Sequence, residues 1–175
     1  MRSLLVVSMI AAAGSIASAG PYIGIGIGTG PSLSNNTIAS PEQTSRSGRL
    51  LLGYSFHVPV GRLSIEGEAN TFDLDLNGVP MSSTMGGFGL KYSFPLGSGF
   101  EVFGRGGLQR TWLSNGVYAG DGDGYYLGAG FELRIPIFGS VFVDYERQAA
   151  TIDSSTSTTY DESAGMFTLG ATVNL

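Results

Sequence analysis

Residues Gly124 to Gln148 read GYYLGAGFELRIPIFGSVFVDYERQ, and their alternation decides the fold. Tyr125, Leu127, Ala129, Phe131, Leu133 and Ile135 take the odd positions, while Tyr126, Gly128, Gly130, Glu132 and Arg134 lie between them. Beyond Pro136 the pattern resumes, with Val141, Val143 and Tyr145 set against Asp144 and Glu146. A period of two sustained this long is a strand signal, because a helix turning every 3.6 residues would scatter both classes around its surface. Two such runs about a Pro/Gly turn predict a hairpin. Each run is long for a water-soluble sheet and suits a strand tilted across a bilayer, which needs about 9–11 residues.

Composition points the same way. The chain has 175 residues, enough for one domain, and 28 are glycine, about 16% against an average near 7%, which argues against a helical fold. Cysteine is absent, so a disulfide framework and thiol chemistry are excluded. Charged residues make up 13%, well below the usual value of about 25%. A net charge of −5 gives no electrostatic case for nucleic acid.

Residues 1–19 read as a signal peptide, with Arg2 as the basic start, an apolar run from Leu4 to Ala13 and Ala17-Ser18-Ala19 as the cleavage site. Residues 20–175 are then the mature domain. Losing Arg2 leaves eight basic residues against 14 acidic ones, a net of −6.

The mature part repeats. Val58-Pro59-Val60-Gly61, Phe94-Pro95-Leu96-Gly97 and Ile135-Pro136-Ile137-Phe138-Gly139 are similar turns, with prolines 36 and 41 residues apart. Four units of two strands each follow, predicted at residues 22–28, 48–57, 62–71, 84–94, 100–112, 124–135, 140–150 and 165–175. Propeller blades would hold four short strands per unit instead. The remaining links, 29–47, 72–83, 113–123 and 152–163, are longer and polar and read as loops. Short turns at one end and long loops at the other suit an outer-membrane barrel.

Parity gives each strand an apolar and a polar face. The predicted outward set includes Ile23, Ile25 and Ile27; Leu50, Leu52, Tyr54 and Phe56; Phe88, Leu90, Tyr92 and Phe94; Leu127 to Ile135; and Phe167, Leu169, Ala171, Val173 and Leu175. A soluble sandwich or lipocalin-like barrel would reverse the faces. Against that reading stand the strand lengths, the export signal and two aromatic levels, with Tyr54, Phe56, Tyr92, Phe94 and Phe100 beside the short turns and Trp112 and Tyr125 beside the long loops.

The hairpin pattern, the Pro/Gly turns and the final run Met166 to Leu175 resemble those of the small eight-stranded outer-membrane β-barrels, the family of the outer membrane protein A membrane domain and the opacity-type surface antigens. The resemblance implies an all-β, antiparallel, up-and-down transmembrane barrel in the bacterial outer membrane, with short periplasmic turns and longer extracellular loops. It also implies that Met166 to Leu175 is read by the outer-membrane assembly machinery, although the family usually ends in Phe or Trp and this chain ends in Leu175. A monomer in contact with the lipid bilayer and lipopolysaccharide is expected.

Inside, Arg49, Lys91, Arg105 and Arg134 face Glu66, Glu68, Glu101, Glu132, Asp144 and Glu146, and buried charges must pair. Glycines on the same face make room for them and for Phe103 and Tyr126. The network either simply fills the barrel or gates a narrow, cation-preferring channel. Arg110 and Arg147 break the lipid face. They either contact lipopolysaccharide phosphates or mark a change of parity where a strand leaves the membrane, a change the third strand also shows between Ala69 and Phe72, where apolar positions switch from odd to even.

Catalysis is not expected. The lone histidine, His57, sits at the short-turn end, away from the outer leaflet where lipid A-modifying barrels work. Gly24-Ile25-Gly26-Ile27-Gly28 fails the G-x-G-x-x-G spacing. Asp121-Gly122-Asp123-Gly124 lacks the downstream glutamate of a calcium loop and reads as a solvated loop tip. No cofactor or metal is expected. A structural or weakly conducting barrel and a surface adhesin acting through its loops remain as the two functions.

Overall fold

Strands with period-two faces stay half-unsatisfied until their edges pair, and here they pair in a ring. The computed structural model describes residues 19–30, 32–33, 46–76, 79–114, 119–136, 138–154 and 159–175. Among them are β1 (Gly20–Thr29), β2 (Ser32–Leu33), β3 (Arg46–His57), β4 (Arg62–Leu76), β5 (Val79–Gly97), β6 (Phe100–Ser114), β7 (Ala119–Ile135), β8 (Gly139–Ser154) and β9 (Thr159–Asn174). Every pairing is antiparallel, each long strand bonds to the next, and β1 closes the ring on β9 from Tyr22–Asn174 to Gly28–Thr168. The two-residue β2 continues the line of β1 along β9, at Gly165 and Ala164. The result is a closed barrel of eight long strands with no free edge along its closed part, the condition for a sheet in hydrocarbon.

The wall is apolar outside and polar inside. Leu127 is 62% exposed, while Glu132 is 3% exposed and turned into the lumen. Ile25, Ile27, Leu108 and Phe131 are likewise exposed, whereas Glu66, Arg105, Asp144 and Glu146 are buried. A soluble barrel with an apolar hollow is therefore excluded by the direction of the side chains. Aromatic side chains stand outside near the short turns, where the Tyr54 and Phe56 rings lie 4.9 Å apart. Trp112, Tyr125, Tyr145 and Phe167 stand outside on the other half.

The short turns lie near the prolines. Val58 donates to the carbonyl of Gly61, and Phe138 to that of Ile135. Gly61 has φ +102°, and a Cβ there would strike the Ser93 carbonyl. The second turn falls later than its proline suggests. β5 runs through a register irregularity between Pro95 and Gly97, and the chain reverses over Gly97, Ser98 and Gly99, all with positive φ. A bulge is where a strand tolerates proline.

Several expectations need correction. The predicted loops 72–83 and 113–123 are mostly strand, because β4 and β5 stay paired to Leu76–Val79 and β6 and β7 to Ser114–Ala119. Their polar residues do not break pairing, since strands standing clear of the membrane have water on the outside. Asp121 and Asp123 accordingly lie within β7, not at a loop tip. The expected parity change is absent as well. Burial alternates straight through Gln109, Arg110 and Thr111, and through Glu146, Arg147 and Gln148. Between Ala69 and Phe72 the alternation also holds, and Phe72 simply points inward, packed with Met85 and Leu113. The expected signal peptide lies outside the described residues except for Ala19, as does most of the 29–47 link and part of 152–163.

Candidate functional site

The lumen is built in layers from alternate residues of successive strands. Nearest the short turns, Arg62 holds Glu101 at 2.8 Å and Glu132 at 3.1 Å. Lys91 holds Glu132 at 2.6 Å, and Arg134 lies 3.5 Å from Glu101. Hydroxyl pairs Ser55–Ser64 and Ser140–Thr172 fill the same layer at 2.9 and 2.7 Å.

One step further along the strands the charges give way to Leu51, Phe103 and Phe142, a buried apolar cluster. The Phe103 and Phe142 rings meet edge to face, 6.5 Å between centroids. Lys91 Nζ sits 4.4 Å from the centre of the Phe103 ring, so the cation is held on both its carboxylate and its aromatic side.

The next layer is the most highly charged. Arg105 pairs with Glu68 and lies 3.3 Å from Glu66, 3.4 Å from Asp144 and 3.6 Å from Glu146. Arg49 reaches Asp144 at 2.7 Å and Glu146 at 3.0 Å. Four carboxylates thus share two guanidinium groups, and neutral donors reach three of the four. The Tyr22 hydroxyl donates to Glu66, Gln148 donates to Glu146 at 2.7 Å and Asn70 donates to Glu68 at 3.3 Å. Buried carboxylates hold only when their remaining lone pairs find such donors. Tyr126, fully buried, lays its ring against Arg105, 5.5 Å from the guanidinium carbon.

Glycine makes this filling possible. Tyr22 lies across Gly53, Tyr126 across Gly87 and Gly89, Arg105 across Gly128 and Phe142 across Gly170. At Gly130 a Cβ would stand 2.7 Å from both Phe103 Cζ and Asp144 Cβ. Beyond the charged layer the lumen holds Phe72, Met85, Gln109, Thr111 and Gln148, all buried.

All ten sequence-predicted lumen residues, Arg49, Glu66, Glu68, Lys91, Glu101, Arg105, Glu132, Arg134, Asp144 and Glu146, sit in ion pairs. Arg62 was missed. It starts β4 on the same parity as Glu66 and Glu68, a signal hidden by its place next to the turn. Tyr22 was missed too, although it shares parity with the inward glycines of β1.

Outside, Arg110 pairs with Asp121 and lies 3.5 Å from Asp123, with all three groups exposed. Arg147, also exposed, donates from Nε to Ser163 at 3.1 Å. His57 is exposed on the end of β3, opposite Arg62 in the ladder.

Known proteins share this architecture. The family model for the outer membrane protein beta-barrel domain matches residues 3–174. Among solved structures, Neisserial surface protein A is similar at 15% identity and TM-score 0.64, over 91% of this chain and 99% of that one. The attachment invasion locus protein Ail of Yersinia pestis is similar at 14% identity and TM-score 0.58, over 90% of this chain and all of that one. The outer membrane enzyme PagL is similar at 14% identity and TM-score 0.52, over 88% and 99%. No curated protein matches the chain.

Proposed function

The chain belongs to the outer membrane protein beta-barrel domain family, and on that footing we propose that it is a structural barrel of the bacterial outer membrane whose lumen is sealed against solutes by its own ion pairs. The observation that carries this reading is the layered filling itself. Two charged layers and an apolar one between them stand in series, and Arg105 alone joins acids from β4 and β8 across the bore. A hollow eight-stranded barrel is narrow enough for side chains to occupy it. Opening it requires several buried pairs to exchange partners together. Purified protein in planar bilayers is expected to give no steady conductance, and Arg105→Ala is expected to give some. Steady channels from the unaltered chain would favour the gated-channel alternative.

The placement of the remaining parts follows. Residues 1–19 are read as the export leader. Met166 to Leu175 offers the assembly machinery a strand with Phe167, Leu169 and Val173 outward, and its last residue donates to the carbonyl of Pro21. Arg110 and Arg147 point outward on the half with the long hairpins, which supports a contact with lipopolysaccharide phosphates. Ring closure leaves no long-strand edge for a second copy to pair with, which supports a monomer.

A non-enzymatic role fits His57, which stands exposed at the periplasmic end. The likeness to PagL is one of fold, at 14% identity. An adhesin role draws on the hairpins, since β5 runs 19 residues and β7 runs 17, well past the about 9–11 needed to cross. Ail has been solved with the heparin analogue sucrose octasulfate. Here the outer strand ends expose Asp73, Asp121 and Asp123, carboxylates that disfavour a sulfated polyanion. Retention of the folded protein on heparin resin at physiological salt would overturn that exclusion.

A further inference from the structure

The lipid-facing wall is thinly covered by side chains over β3 to β6. Ladder registry sets Leu52, Gly67, Phe88 and Leu108 side by side, and in the next row Leu50, Ala69, Gly86 and Arg110. The small residues of both rows leave a groove of about 760 Å³ on the outside of the barrel. Glycine alone does not explain it. Gly106 also faces outward, yet the Leu127 side chain covers it, 2.7 Å from where a Cβ would stand. A Cβ at Gly67 would meet nothing nearer than 3.9 Å. The Trp112 ring leans over Gly86 at the upper end, 3.3 Å from its Cβ position.

We propose that this groove seats one acyl chain of lipid A, with a phosphate of the same molecule at Arg110. Its floor is bare backbone in a wall that faces hydrocarbon, so its occupant is a lipid chain. Its size is that of a ligand pocket, about 300–1,000 Å³. Its upper end is marked by an indole and a cation, the pair that locates a membrane interface. Arg110 stands directly opposite Gly86 in the ladder, so a headgroup anion there and a chain in the groove are within reach of one molecule. The leaflet and the exchangeable Arg110 cation decide which lipid. The half with long hairpins faces outside the cell, where the leaflet is phosphorylated lipid A. Arg110 and Asp121 are each about half exposed, and an exposed ion pair exchanges partners at little cost. The two carboxylates it leaves, Asp121 and Asp123, accept the magnesium that accompanies such phosphates. The inference rests on the headgroup-level placement of Arg110 proposed above and is independent of whether the lumen conducts.

Trp112 is the single tryptophan and reports on the groove directly. The test is a titration of the folded chain in detergent with lipid A bearing both phosphates, in magnesium buffer, followed by Trp112 emission. Saturation at one lipid per chain is expected. Gly67→Leu, which fills the groove away from the indole, is expected to raise the midpoint about tenfold or more, and Ala69→Leu serves if that variant fails the heat-mobility check of folding. Ala171→Leu, on the wall of β9, is expected to change nothing. Arg110→Gln is expected to weaken binding of lipid A but not of its dephosphorylated form. Gly67→Leu and Ala69→Leu titrating like the unaltered chain would overturn the groove even if Arg110→Gln still weakened binding, which would leave only the headgroup contact. Equal saturation by phosphatidylglycerol, or a dimer dispersed by Gly67→Leu, would overturn the assignment to lipid A.

Discussion

Arg105 shows what a buried charge demands in this barrel. Its guanidinium is 2% exposed and has Glu66, Glu68, Asp144 and Glu146 around it. Truncation to Ala leaves Asp144 and Glu146 with Arg49 and leaves Glu66 and Glu68 with the neutral donors Tyr22 and Asn70, and breaking a buried pair from one side costs about 3–5 kcal/mol. Arg105→Ala is expected to lower the urea midpoint of unfolding accordingly, while Arg110→Ala, whose pair is exposed, leaves that midpoint unchanged. Equal midpoints for Arg105→Ala and the unaltered chain would show that the network does not hold the fold. The glycines make the same point through space. Gly130→Leu would press on Phe103 and on Asp144 at once, and overpacking of this kind costs about 1–3 kcal/mol. The expected readout is a lower melting temperature together with loss of heat-modifiable mobility at milder temperatures.

At the scale of strands the barrel is uneven. The seam of β1 with β9 holds seven registered pairs, against sixteen between β7 and β8. Gly24, Gly26 and Gly28 add no lumen side chain along it. Amide exchange is therefore expected to be fastest in β1 among the long strands, and slowest in β7 and β8, measured by mass spectrometry on the reconstituted protein. Uniform protection around the ring would refute this. Polar strand ends are also why boundaries drawn from alternation fell short. The inward faces of Arg49 and Asp144 and the outward faces of Leu90 and Ile65 are read easily because lipid outside and ions inside enforce opposite chemistries. Asp73, Asp121 and Asp123 stand in strands with water outside, where no alternation is enforced and only hydrogen bonding keeps the ladder going.

The whole molecule is a cylinder with its chemistry inverted relative to a soluble domain. A cation placed on the outer wall at mid-depth should be among the worst changes available. Leu90→Arg, half exposed on β5 and paired beside Ile65 and Gly106, is expected to cost about 2–4 kcal/mol when the chain folds into lipid vesicles. The same substitution in a soluble barrel of reversed faces would bury the arginine in a hollow instead. Folding efficiency measured by gel mobility separates the two, and an unimpaired Leu90→Arg would count against a membrane-embedded wall.

The amino-acid sequence by itself determined which side of each strand meets lipid, because backbone geometry imposes a period of two and no tertiary event can move Leu127 and Glu132 to the same face. It also determined that charges such as Arg49, Glu66, Arg105 and Asp144 share one interior. Only the tertiary structure decided which of them touch. Arg49 and Asp144 are 95 residues apart, and their meeting depends on strand stagger and ring closure, which local pattern does not encode. Closure likewise decided that Phe72 and Leu51 go inward despite their chemistry, that Arg62 joins the network from beside a turn, and that Arg110 stays on the outer wall next to a groove left by three small side chains on two different strands.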